Sequence, residues 1–158
     1  MVVGSSNTRG KSFTRDDFFF DTNILVYALD KTDKAKNQKC AHLVGKAMVG
    51  EIVGYVSNQV LAELYSVLTT KLGSKISREE ALGIVEFLSQ SEKWKKIDYD
   101  HKTVSKALRL SAKRGISIWD ALISSTMIEN GVKSILTENV GDFRGILGIR
   151  ARNPLRGR

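Results

Sequence analysis

Cysteine, proline and histidine are almost missing from these 158 residues, at one, one and two copies. A lone cysteine, Cys40, excludes a disulfide framework and a cysteine-built zinc site. The single proline, Pro154, stands near the C-terminus, so no helix or strand of the body is broken by one. His42 and His101 both fall in polar, lysine-bearing helical stretches and are poor choices for a ligand or base. Long apolar runs are also lacking, and nothing approaches the ~20 residues of a membrane span. The opening MVVGSSNTRGKSFTRDD has no apolar signal-peptide core. The expectation is a soluble protein of the cytoplasm. What is present is ordinary globular usage, 42% hydrophobic and 27% charged, at a length that favours one domain.

The net charge of +8 is unevenly spread. Arg9, Lys11 and Arg15 stand without an acid in residues 1–15, and residues 144–158 carry five arginines and no acid. Residues 16–143 balance 17 basic against 17 acidic side chains. Two cationic ends therefore flank a neutral body. Arg9, Lys11, Arg15, Arg156 and Arg158 are the candidate phosphate contacts. The expected organisation is a flexible basic segment over 1–15, one domain over 16–155 and a basic tail over 156–158.

Phe18, Phe19 and Phe20 read as a buried strand that ends at Asp21. Helical patterns follow over 22–30, 34–49, 58–72, 78–90, 101–114 and 118–130. Ser57 and Ser117 are candidate N-caps, Ser77 with Glu80 fits a capping box, and Gly73, Gly115 and Gly131 stand as stops. Further strands are expected at 52–56, 94–97 and 134–137, with an edge strand at 149–152. Strands alternating with helices predict an α/β sandwich on a mostly parallel sheet. Ligands in such folds bind at the carboxyl ends of the strands.

Acids follow the first strand and a late strand, and two more stand in helices. Asp21 follows the first strand and reads equally as a helix cap. Glu63 lies in a helix between Val60 and Val67, a place where a carboxylate is costly unless paired or bound to a cation. Asp120 begins a late helix, where the helix dipole alone would favour it. Asp142, with Glu138 and Asn139 nearby, follows the strand at 134–137 in what reads as a polar loop. Carboxylates gathered at one sheet edge repel one another unless a cation sits among them, and oxygen-only ligation suits Mg²⁺ or Mn²⁺.

FFFDTNILVYALD, NQVLAELYSVL, SIWDALISSTMIENG and ILTENVGDF, in that order, resemble the PIN domain and, within it, the VapC-type toxins. The resemblance covers residues 17–155. It implies a PIN-like α/β/α sandwich and a metal-dependent endoribonuclease of the toxin–antitoxin kind. It further implies an RNA substrate, an antitoxin partner, a homodimer, and four acids at Asp21, Glu63, Asp120 and near Asp142. The fourth position departs from the pattern. Asn139 stands where many relatives carry an acid, so Glu138 or Asp142 must serve, or metal binding is weaker. Thr22, Asn23 and Thr137 are candidate supports for the ligands. Two other functions share these residues: a housekeeping RNA-processing nuclease, and a metal-free PIN-like module that binds RNA without cutting it.

Overall fold

The computed structural model describes residues 15–72 and 76–157. Five strands form one sheet in the order β3-β2-β1-β4-β5. They are β1 (Asp17–Phe20), β2 (Val53–Ser57), β3 (Trp94–Ile97), β4 (Ser134–Leu136) and β5 (Arg150–Arg152). Every neighbouring pair is parallel. The expected sheet was mostly parallel; it is wholly so. Seven helices connect the strands: α1 (Thr22–Leu29), α2 (Lys34–Met48), α3 (Asn58–Thr70), α4 (Arg78–Gln90), α5 (His101–Arg114), α6 (Ile118–Glu129) and α7 (Val140–Phe143).

β1 is central because its phenylalanines can be buried from both sides. Phe19 and Phe20 are fully buried, and Phe18 nearly so. From β1 the chain steps outward to β2 and β3, then crosses back to β4 on the other side of β1. Right-handed crossovers in opposite directions place α1 to α4 on one face and α5 with α6 on the other. The reversal creates a crevice between the carboxyl ends of β1 and β4, where a parallel sheet offers a ligand site.

The helix signals act as their chemistry requires. The Ser57 hydroxyl accepts from Val60 N–H at the start of α3, and Ser77 with Glu80 completes the capping box of α4. Gly115 closes α5 in the left-handed conformation, where a side chain would be strained. Observed boundaries lie within about two residues of those expected, the usual fraying of helix ends. The Gly73 stop lies outside the described residues.

One expectation needs correction. The polar loop after β4 is a short helix, α7, with Phe143 buried and Asp142 in its first turn. The edge strand expected at 149–152 is β5. Arg150 and Arg152 belong to β5, whose register pairs Arg152 with Leu136, so that charge is part of the folded body. Arg15 and Arg156 are exposed, and Arg9, Lys11 and Arg158 lie outside the described residues.

Candidate active site

Asp21 is built in by the sheet itself. Its N–H donates to Leu136 O at 3.0 Å, continuing the β1–β4 ladder one residue past the strand. Its side chain then turns into the crevice and is buried. Oδ1 accepts from Thr22 N–H at 2.8 Å. Oδ2 accepts from Thr137 Oγ1 at 2.7 Å and from Asn23 Nδ2 at 3.0 Å. Asp21 is therefore both the cap of α1 and a fixed carboxylate at the strand end. The two readings of this residue do not compete. Burial, the largest influence, raises its pKa against the pull of these hydrogen bonds.

Glu63 reaches the same crevice from α3. Its Oε2 accepts from Thr22 Oγ1 at 2.9 Å, and its Oε1 from Gln59 Nε2 at 2.8 Å. Thr22 thus binds Asp21 through its backbone and Glu63 through its hydroxyl. Gln59 also donates to Trp119 O at 3.3 Å, which ties α3 to the start of α6. Gln59 was not foreseen as a site residue. The available signal was its position four residues before Glu63 on one helix face.

Asp120 projects from the first turn of α6. Burial first, then the charges of Asp142, Asp21 and Glu63 in that order, push its carboxyl up to about 6. Asp142, Asp21 and Glu63 thus each lie close enough to Asp120 to raise the cost of its charge. Thr137 and Asn139 form the loop that carries Asp142, with Asn139 N–H donating to Thr137 Oγ1 at 3.0 Å.

Glu138 is engaged elsewhere. Lys36 Nζ lies 2.7 Å from its Oε1, and the Tyr27 hydroxyl donates to its Oε2. The Lys36 hydrogen bond, followed by that of Tyr27, holds its carboxyl below the usual range. Its backbone N–H donates to Asn23 Oδ1 at 3.3 Å, so it braces the loop around the crevice. Lys36 and Tyr27 were also unforeseen, since they lie 102 and 111 residues from Glu138 in sequence.

The donor set fits a hard divalent cation, being carboxylate oxygens backed by hydroxyls and an amide. The mutual repulsion felt at Asp120 is what a cation would remove. Among the described residues, no three acidic, histidine or cysteine side chains already close on a single point as a finished ligand shell. The carboxylates of Asp21 and Glu63 are instead turned toward Thr22, Asn23, Thr137 and Gln59.

The pattern of the PIN domain matches residues 18–145, from β1 through α7. The chain belongs to the PIN-domain family. Solved PIN structures of the VapC type share its fold. VapC20 of Mycobacterium tuberculosis, a sarcin-ricin loop cleaving toxin, is 17% identical with a TM-score of 0.64, over 84% of this chain and 98% of that one. VapBC of Salmonella typhimurium, solved bound to DNA, is 20% identical with a TM-score of 0.60, over 88% and 98%. VapBC2 of Rickettsia felis, solved with a fragment of its promoter, is 25% identical with a TM-score of 0.59, over 87% and 98%. No curated protein sequence matches the chain. Among the described residues, no helix is long and apolar enough to cross a membrane.

Proposed function

We propose that this PIN domain is a divalent-metal-dependent endoribonuclease of the VapC toxin type. The observation that carries the reading is the pair of carboxylates joined through Thr22 at the carboxyl end of β1, Asp21 on its backbone N–H and Glu63 on its hydroxyl, with Asp120 and Asp142 near enough to feel one another's charge. Asp21, Asp120 and Asp142 would hold Mg²⁺ or Mn²⁺, with Glu63 beside them. When bound, such an ion supplies charge neutralisation at the phosphate and a more acidic attacking water.

The chain's own residues set the rest. Asp21 is fixed by three donors and gives the site its rigid reference point. Glu63, held by Thr22 and Gln59, is the carboxylate placed to accept a proton. Asp142 stands on α7, where Glu138 and its partners fix the preceding loop. Glu138 itself is committed to Lys36 and Tyr27, which favours Asp142 as the fourth acid.

An antitoxin partner is part of this reading. It is supported by solved neighbours that are toxin–antitoxin complexes and by an apolar groove of about 630 Å³ between α1, α2, α3 and α4. Leu29, Met48 and Phe87 are exposed along it. The test of the function is incubation with an RNA pool in Mg²⁺, Mn²⁺ or EDTA, followed by mapping of the cut ends. Cleavage with metal and none with EDTA is expected. Cleavage that survives EDTA or Asp21→Asn would contradict it.

A further inference from the structure

A second concavity, of about 930 Å³, lies on the β5 side of the sheet. Strand register places Phe18, Leu136 and Arg152 on one sheet face, since Phe20 pairs with Leu136 and Leu136 with Arg152. The same concavity is lined by Lys39, Leu43 and Lys46 of α2 and by Ala151 and Arg152 of β5. Above buried Phe18 and Leu136, its apolar floor is made by the half-buried side chains of Leu43, Ile52, Val140 and Ile149. Its walls carry Lys39, Lys46, Arg144, Arg152 and Arg156 against a single acid, Asp16. Among the described residues, none of these five cations stands in an ion pair. Arg152 lies over the Phe18 ring at 5.5 Å, and Lys39 donates to Leu155 O at 2.9 Å.

The groove adjoins the acidic crevice. α7 is the partition: Asp142 acts on Asp120, while Val140 and Phe143 of the same helix line the groove. Asn153 lines it too, and its side chain donates to Glu138 O at 3.2 Å, on the loop that leads to Asp142. A polyanion at the acidic crevice meets repulsion there, and the nearest concentration of unpaired positive charge lies just across α7.

We infer that this groove binds the single-stranded RNA segment flanking the cleaved bond, an inference that rests on the ribonuclease reading. A single strand brings one phosphate per nucleotide to the cationic walls and free base faces to the apolar floor. A duplex keeps its base faces stacked, and an acidic peptide brings charge without flat apolar faces. The groove's volume is at the upper end of the roughly 300–1,000 Å³ typical of ligand sites.

The test uses the full chain carrying Asp21→Asn, with binding of a short fluorescent single-stranded RNA followed by anisotropy over a salt series. Lys46→Glu with Arg152→Glu should weaken binding by about tenfold or more and flatten the salt slope by about 0.7 for each phosphate that is no longer neutralised. Lys46→Gln with Arg152→Gln should show a smaller effect in the same direction, which covers misfolding of the charge reversal. Lys95→Glu and Lys102→Glu, exposed on β3 and α5 away from the groove, should change binding much less. Duplex RNA and poly-glutamate should compete poorly. In an otherwise wild-type chain, the groove substitutions should raise KM more than they lower kcat.

An unchanged affinity and slope would overturn the inference, as would equal losses in the β3 and α5 controls. Poly-glutamate competing better than RNA would reassign the groove to an acidic protein segment. If the groove variants bind RNA normally while the wild type still cleaves it, the inference fails and the ribonuclease reading stands. If the wild type neither binds nor cleaves RNA, both fail.

Discussion

Asp120 sits where burial first, and then three other carboxylates, raise the cost of its charge. Its folded pKa of about 6 exceeds the ordinary value of 3.8, so between those values the folded state binds more protons than the unfolded. The metal-free protein should therefore lose stability as pH rises from about 4 to about 7. Asp120→Asn removes that dependence. Its melting temperature should exceed that of the wild type at neutral pH, with the gap closing toward about pH 4, where Asp120 is protonated in the folded wild type. Thermal melts in EDTA across that range check it, and a gap independent of pH would mean that the charge at Asp120 is not the cause.

At the same scale, Asp142→Asn and Glu138→Gln should separate cleanly. The first should remove most metal-dependent cleavage and leave apo stability near wild type. The second should weaken the Lys36–Tyr27 brace, lowering the melting temperature more than the activity. Melting and single-turnover cleavage measured on both variants decide which carboxylate is the fourth. Sequence alone left Glu138 and Asp142 open because they are four residues apart in one polar segment. The proposal of Asp142 rests on the engagement of Glu138 by Lys36 and Tyr27, which come from α2 and α1 and have no local signature.

Among the elements, β2 carries a constraint that composition does not reveal. A Cβ at Gly54 would lie 2.6 Å from the Trp94 ring and 3.1 Å from Ala47. Trp94 in turn meets Phe20 edge-on at 4.8 Å. The glycine is needed for this close approach of β2, β3 and α2, because its φ is not in the left-handed region. Gly54→Ala should cost roughly 1–3 kcal/mol by overpacking. That corresponds to about 2–4 °C of melting temperature per kcal/mol at this size. Adding Trp94→Leu should recover part of the stability. The alternation of β and α patterns, the serine caps and the Gly115 stop were all legible because each is a local signal. α7 was not. Four residues of Val-Gly-Asp-Phe carry no periodicity, and only the burial of Phe143 against the fold makes them a helix.

For the molecule as a whole, the arginine excess of residues 144–158 supplies Arg144, Arg152 and Arg156 to one groove, and Lys39 and Lys46 from the evenly balanced stretch 16–143 join them there. Acids gather at the β1–β4 crevice, and cations line the groove beyond α7. A count along the chain cannot see this, since Lys46 of α2 and Arg152 of β5 meet only through the strand order. The order of strands also explains how Asp21 and the loop after β4, far apart in sequence, come together, since β1 and β4 are neighbours and Thr137 donates to Asp21. The β1–β4 crevice is the central claim, and metal-induced stabilisation tests it most directly. Melting temperatures of the wild type and Asp21→Asn should be compared in EDTA and in Mn²⁺. A cation bound only by the folded state at about 100 times its Kd adds roughly 2.7 kcal/mol. The wild type should therefore melt several degrees higher with Mn²⁺. Asp21→Asn keeps a good N-cap residue and should melt at or above the wild type in EDTA, yet respond little to the metal. No Mn²⁺ shift in the wild type, or an equal shift in both proteins, would contradict the account.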